Sequence, residues 1–508
     1  MRILSKLFNK GGAVTNAASF IKNDYWSALY PLKTNLVVVE NYEAGLSEYI
    51  YQRVLGPGDE DNFIPQQRVY ATKPRGHLRR TVKLDPVAEY FIYDVVFRNR
   101  SIFRRHVSDK RLSFGYRFEK GGPVSINAAY RDFRKALTEK RAEYKHVLRF
   151  DIASYFNSIY HHDLAHWFES KDSVSAKDSE YAGRFFREIG AGRSVDFLPQ
   201  GIYPAKMIGN EFLKFIELSA QVRCAQTVRF MDDFYLFDDS ESVLFQDFIK
   251  IQQLLGGFSL NVNPSKTGLD NMGADVSGAV SEIKKSLMEV VEIEEYLDTP
   301  SGVEVVSGLV EVERNLSGDQ VETLLTFLKD DSLEESDADL ILSILRAHSD
   351  SVVAYLPSLL SKFPNIYKHI YAISGQIGDK EALARIILDF LGGERNLLEY
   401  QLFWLGVIVE ENLEGTAIFG DVLSRLFELT ADHKVARAKI LEIPVQKFGF
   451  KEIRAEYLKT GSSDWLSWAS AVGSRTLKPA ERNYVLDYFS KCSRLNYIIA
   501  SAVKNVAV

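Results

Sequence analysis

Two aspartates, Asp232 and Asp233, stand side by side inside the apolar run TVRFMDDFYLF, residues 227–237. Burying even a neutral polar group without a partner costs about 2–7 kcal/mol, so the pair needs a reason to be there. Either it sits at an exposed hairpin tip and does no chemistry, or it faces a metal ion. A third carboxylate, Asp151, ends another apolar run in RFDIASYF. Two strands lying side by side would bring Asp151 to Asp232, with Asp233 adjacent. Such a cluster, with room for phosphates, suits two Mg²⁺ ions, which take oxygen ligands and share their shell with substrate phosphates. Two ions of this kind stabilise the attacking and leaving oxygens of an in-line displacement.

Neither motif is specific alone, because an acidic pair in an apolar run is most often a turn. Three further blocks appear in fixed order around them. SFGYRF (residues 113–118) precedes the first motif, and LPQG (198–201) lies between the two and opens a helix. NPSKTGL (263–269) follows the second and offers Lys266.

The elements that must carry these residues are legible in outline. HVLRFDIASYF reads as a strand ending in a tight turn, and TVRFMDDFYLF as a hairpin. PAKMIGNEFLKFIEL reads as a helix with Pro204 in its first turn. ESVLFQDFIKIQQLL has helical spacing and stops at Gly256-Gly257. LGPGDEDNF, residues 55–63, is a loop by composition. From about residue 300 strand signals thin out and amphipathic helices follow one another. Among them are DLILSILRAH, SVVAYLPSLLSKF, EALARIILDFL, NLLEYQLFWLGVIVEE and FGDVLSRLFEL. Leu383, Ile386, Ile387 and Phe390 mark one buried face. A dozen such helices suggest stacked hairpins of HEAT type, with an irregular helical domain as the alternative. LVVVE and ISGQIG carry no mechanism, and adjacent His161 and His162 point in different directions on a helix, which suits packing or solvent contact.

Composition is that of an ordinary globular chain: 508 residues, 46% apolar and 26% charged. No apolar run reaches the length of a membrane span, and the N-terminus lacks a signal-peptide core. Two cysteines give neither a disulfide framework nor a zinc spacing; two buried thiols in a reducing cytoplasm are expected. Net charge is −6, yet residues 1–150 hold about 27 Lys and Arg against about 15 Asp and Glu. KPRGHLRRTVK is the densest stretch, and this asymmetry suggests a polyanion partner. There is no phosphate-loop, HExxH or GxSxG motif.

The five blocks, over about residues 65–270, resemble those of a reverse transcriptase. RFDIASYFNSIYHHDL resembles motif A, LPQGIYPAKMIGNEFL motif B, RFMDDFYLF motif C, LNVNPSKTGL motif D, and SFGYRF a block of the fingers. The resemblance implies an α+β fold: right-hand polymerase fingers and palm followed by an all-α HEAT-like helical repeat domain. It implies fingers and an N-terminal segment in 1–145, palm in 146–290 and the helical domain in 291–508. By the same resemblance Asp151, Asp232 and the Ile152 carbonyl hold two Mg²⁺ ions, with Mn²⁺ as the alternative, and Asp233 is accessory. Phe156 stands where an aromatic gate crowds a ribose 2′-hydroxyl, which favours dNTPs. Gln200 and Gly201 match residues that pack on the incoming nucleotide, and Lys266 matches the lysine that protonates pyrophosphate. Lys73, Arg79, Arg80 and Lys83 are candidates for triphosphate and backbone contacts.

Motif B departs from the family's pattern, with Ile202 and Tyr203 after the glycine where Ser or Asn is usual; this puts ordinary template handling in doubt. The length and helical C-terminal half resemble the abortive-infection (Abi) reverse transcriptases of bacterial phage defence, in length nearest the P2-type prophage members. That likeness implies untemplated DNA synthesis primed by a protein tyrosine, single-stranded DNA covalently linked to the protein, homo-oligomers, and a bacterial cytoplasmic location without membrane contact. Tyr25 and Tyr30, expected in a flexible N-terminal segment, are the priming candidates. Templated RNA-directed synthesis of retron or intron type is the alternative, and a helical scaffold for phage sensing a third.

Overall fold

Short, almost fully buried strands and a two-residue turn build the sheet that carries the acidic motifs. The computed structural model describes residues 14–271 except 59, 105 and 106, and 316–507 except 330–332, 334, 394 and 395, together with 297–299 and 302–304. The expected boundary between residues 290 and 291 lies outside the described residues.

A hairpin of β1 (Gln67–Thr72) and β2 (Leu78–Lys83) stands apart from the main sheet. The main sheet has five strands: β3 (Arg111–Phe114), β4 (His146–Asp151), β5 (Gln226–Phe230), β6 (Asp233–Asp238) and β7 (Gly268–Asn271). Their order is β3-β5-β6-β4-β7, antiparallel except for β3 beside β5. A two-residue loop, Met231-Asp232, joins β5 to β6, with Met231 at φ 55°; tight hairpins require positive φ of this kind.

Around these strands lie α1 (Ala17–Asp24), α2 (Lys33–Tyr49), α3 (Pro86–Arg98), α4 (Ile126–Glu143), α5 (Tyr203–Phe212) and α6 (Glu241–Gly256). Pro204 sits in the first turn of α5 and Gly257 caps α6, as the sequence suggests. LVVVE is helical, inside α2, despite its β-branched residues. Val37, Val38 and Val39 are buried there, and tertiary packing overrides the weak local preference.

Among the described residues, the C-terminal part has only helices after a small hairpin of Leu297–Thr299 and Gly302–Glu304. SVVAYLPSLLSKF, read as one helix, is broken into Ser349–Val352, a 3₁₀ turn and Leu356–Lys362. Pro357 lies in the first turn of the second piece, and lacking an N–H it cannot donate the helical bond back to Val353. Beyond lie α7 (Tyr367–Ser374), α8 (Lys380–Gly392), α9 (Glu399–Asn412), α10 (Phe419–Leu429) and α11 (Lys434–Glu442). The chain ends with α12 (Phe450–Lys459), α13 (Trp465–Gly473), α14 (Pro479–Cys492) and α15 (Arg494–Asn505). Each of α7, α9, α11, α13 and α15 packs on the next in that series, forming one layer. In a second layer α8 packs on α10 and α12 on α14.

The first layer presses on the N-terminal region through α15 against α2 and α9 against β1. Lys33 reaches Glu410 at 2.8 Å and Glu411 at 2.6 Å, and the Thr34 N–H donates to Glu442 Oε2 at 2.9 Å. Lys439 stands 2.5 Å from Glu410 and 2.9 Å from Glu442. The Trp26 ring stacks on Tyr371 at 5.4 Å, and Tyr30 meets Phe403 edge-on at 4.9 Å. No helix among the described residues is long and apolar enough to cross a membrane. Cys224 is buried as expected, whereas Cys492 is exposed.

Candidate active site

β4 and β6 pair so that Asp151 lies directly opposite Asp233, with Asp232 in the turn just before it. Like charges directly across a sheet are destabilising, so the fold carries this arrangement at a cost. Phe150 stacks on Phe234 at 4.9 Å on the opposite face and fixes the register. The turn is held from behind by Arg229, the one charged side chain in the apolar strand β5. Its guanidinium pairs with the buried Glu217 and donates to the Met231 carbonyl at 2.7 Å and to Asn210 Oδ1 at 3.0 Å. The sequence reading missed Arg229; an arginine inside a strand with apolar neighbours was the available signal, since a buried charge needs a partner.

A cleft of about 330 Å³ opens beside the turn, lined by Asp151, Ile152, Phe156, Gln200, Asp232, Lys266, Lys73, Arg79 and Arg80, with Asn157 and Asn263. Asp151 Oδ1 and Asp232 Oδ1 are both buried without a hydrogen-bond partner. Asp151 Oδ2 accepts from Lys266 Nζ at 2.8 Å. Burial pushes the Asp232 carboxyl well above the usual range, and the charges of Asp233 and Asp151 add to the effect, outweighing Lys266. Burial alone would lower the Lys266 ammonium; its hydrogen bond to Asp151 and the charges of Asp151, Asp233 and Asp232 raise it overall. Hydrogen bonds from Ala153 N–H to Asn261 O and from Asn263 N–H to Asp151 O flank Ile152, leaving its carbonyl outside that pairing. Asp233 does not line the cleft, and among the described residues no three His, Cys, Asp or Glu side chains are grouped to hold a metal ion. Asp151 and Asp232, expected as the metal-binding pair, line the cleft, and the accessory Asp233 sits beside them on the strand without lining it.

Phe156 is buried against Gly209 of α5, where an added Cβ would come within 2.9 Å of the ring. Gln200 Nε2 donates to Asn157 Oδ1 at 3.0 Å and the Arg80 carbonyl at 3.3 Å. Gly201 lies outside the cleft; its carbonyl accepts from Leu29 N–H, and a Cβ would strike Leu29 at 2.9 Å.

Strand alternation divides the three basic candidates on β2, while Lys73 lies in the turn before it. Arg80 is half-exposed, while Arg79 and Lys83 are buried on the other face of β2; Arg79 nonetheless lines the cleft, as Arg80 and Lys73 do. Lys83 is tied up 2.7 Å from Glu89 and does not line the cleft. Tyr25 and Tyr30 are not in a loose segment either. Both are buried under the helical layer, where Tyr25 Oη donates to Pro31 O at 3.0 Å and Tyr30 Oη to Tyr70 O at 2.6 Å. Burial first, and then nearby glutamates, raise both hydroxyls well above the ordinary tyrosine range.

A mixed sheet thus carries the acidic turn, with helices and a basic hairpin around the cleft. The family described as reverse transcriptase (RNA-dependent DNA polymerase) matches residues 104–275, so a reverse-transcriptase-like domain is present over that part of the chain. No curated protein matches the chain. Among solved structures, apo telomerase from Candida tropicalis is similar over 76% of this chain and 73% of its own, at 12% identity and a TM-score of 0.31. Telomerase from Candida albicans in complex with a TWJ fragment of telomeric RNA is similar over 81% and 69%, at 14% identity and a TM-score of 0.26. Likenesses this distant carry no argument about function.

Proposed function

We propose that the chain is a DNA polymerase of reverse-transcriptase type that extends DNA from dNTPs on an RNA template. The observation that carries this reading is the pair of buried oxygens without hydrogen-bond partners, Asp151 Oδ1 and Asp232 Oδ1, in a cleft that also holds cations. Those oxygens and the Ile152 carbonyl fit Mg²⁺ (or Mn²⁺) and would hold it. Bound there, two ions would supply charge stabilisation to the attacking and leaving oxygens.

The chain's own residues supply the rest. Lys73 and Arg80 bind and orient the triphosphate, and Phe156 crowds a 2′-hydroxyl. Gln200 braces the nucleotide end of the cleft, and Lys266 Nζ carries a proton for the departing pyrophosphate. A 3′-hydroxyl loses its proton to solvent and its oxygen bonds to the α-phosphorus as the bond to the pyrophosphate oxygen breaks. On this reading residues 1–145 serve as fingers, 146–290 as palm and 291–508 as a HEAT-like helical domain.

A second reading has its own observation. Ile202 is buried, and Tyr203 at the template position of motif B donates its hydroxyl to the Val124 carbonyl. Packing of this kind favours untemplated synthesis by a homo-oligomeric Abi-type enzyme of phage defence, with DNA linked to a protein tyrosine. Of the candidate tyrosines, Tyr25 and Tyr30 both have buried, hydrogen-bonded hydroxyls.

Purified, nuclease-treated protein with Mg²⁺ and labelled dTTP, with and without oligo(dT) on poly(rA), tests both. Extension only with template and primer is expected. Label that migrates with the protein when no nucleic acid is added, and shifts after protease, would favour the second reading. No incorporation under either condition would overturn both.

A further inference from the structure

Asp196 lies just upstream of LPQG, does not line the cleft, and yet holds two side chains that do, Asn157 and Arg80, together with Arg68. Its Oδ1 accepts from Asn157 Nδ2 at 2.7 Å. Its Oδ2 stands 2.7 Å from Arg68 Nη2 and 3.8 Å from Arg80 Nη1. Only 9% of its side chain is exposed. The hub extends through Asn157, whose amide also donates to the Arg80 carbonyl at 3.2 Å and whose Oδ1 accepts from Gln200. One carboxylate thus ties the β1–β2 hairpin to the turn after β4 and, through Asn157, to the residue that opens the segment before α5.

The backbone supports the assignment. Asp196 has φ 66°, a left-handed conformation that aspartate and asparagine tolerate better than other side chains. Arg80 is exposed over half its side chain and lines the cleft, whereas Arg68 does not. Without the carboxylate, Arg80 would sample more rotamers; the ion pair biases it before any ligand arrives.

We propose that Asp196 is a positioning residue that sets Arg80 and Asn157 for the phosphates of an incoming nucleoside triphosphate, without touching the nucleotide. The inference rests on the polymerase reading of the cleft. It makes triphosphate affinity depend on the carboxylate, while the rate of phosphoryl transfer, set at Asp151 and Asp232, does not.

The test uses the full chain, dTTP and Mg²⁺, with binding read by calorimetry and incorporation by steady-state kinetics. Asp196→Asn keeps the shape, the backbone tolerance and an acceptor for Asn157, and removes only the charge. It should weaken dTTP binding and raise KM about tenfold, with kcat within about twofold of wild type. Arg80→Gln should do the same, and the double variant should lose no more than the larger single loss, because the two residues act through one contact. Unchanged dTTP affinity in Asp196→Asn, or losses that multiply in the double variant, would overturn the inference.

If Asp196→Asn unfolds by circular dichroism, Arg68→Gln gives the same test from outside the cleft. It should weaken dTTP about two- to fivefold, and unchanged binding would again overturn the inference. Wild-type protein that binds dTTP but never incorporates it would sink the polymerase reading and leave the role of Asp196 to the binding data. Wild-type protein that binds no dTTP overturns both.

Discussion

The Lys266 ammonium stands 2.8 Å from Asp151 Oδ2, joining two side chains 115 residues apart in sequence at the acidic end of the cleft. Half of the Lys266 side chain is exposed, so the pair is open to solvent and its worth to stability is small. Its value lies in placing a protonated donor beside the carboxylates. Lys266→Ala should therefore slow incorporation about 10²-fold with little change in melting temperature. Rapid-quench kinetics check this; a variant as fast as wild type would remove Lys266 from the chemistry.

Phe156 should decide which sugar enters. Its ring is wedged against Gly209, so it has no room to withdraw when a larger ribose arrives. Phe156→Val should raise the ratio of ribo- to deoxynucleotide incorporation about tenfold or more, measured as kcat/KM for UTP against dTTP. The same ratio in both proteins would make Phe156 a core residue only.

Arg229 links fold and site. Removing one partner of a buried ion pair costs about 3–5 kcal/mol, because the other charge is left uncompensated. Arg229→Met strands Glu217 and frees the Met231 carbonyl that anchors the positive-φ turn. Chemical denaturation should show a loss of that size, with activity falling in step. A melt indistinguishable from wild type would contradict the account of the turn.

Acid lability should originate in the helical region. Burial, and then the neighbouring Lys368 charge, depress His369 to about 3. Asp339 Oδ1, 3.8 Å away, does not reverse this. The unfolded chain takes up the proton near pH 6.5 while the folded chain resists it, so stability is lost as pH falls from about 6.5 toward 3. The slope from this group is at most about 1.4 kcal/mol per pH unit. His369→Asn should flatten the profile in that window, as read from urea midpoints against pH. An unchanged slope would assign the lability elsewhere.

How much of this was legible in the sequence depends on how local each cause is. The hairpin around Asp232, the strand ending at Asp151 and the helix opening at Pro204 follow from short-range patterns and stand as read. Charge density along a segment does not show that Lys83, at the far end of β2, pairs with Glu89 and lies outside the cleft that Arg79 and Arg80 line. Tyr25 and Tyr30 were misjudged for a longer-range reason. The helices that bury them begin more than 300 residues later, and no local signal reports that contact. Asp196 carried no motif of its own, and its role emerges only when hairpin, turn and loop meet.

The most direct test of the central claim is the rate of single-nucleotide incorporation by Asp232→Asn beside wild type, with melting curves for both. The substitution keeps shape and removes a buried charge that Asp233 and Asp151 disfavour. The account expects incorporation to fall at least about 10³-fold while the melting temperature holds or rises, the pattern of a residue kept for chemistry at a cost in stability. A variant that incorporates within about threefold of wild type would show that the acidic turn is only a turn.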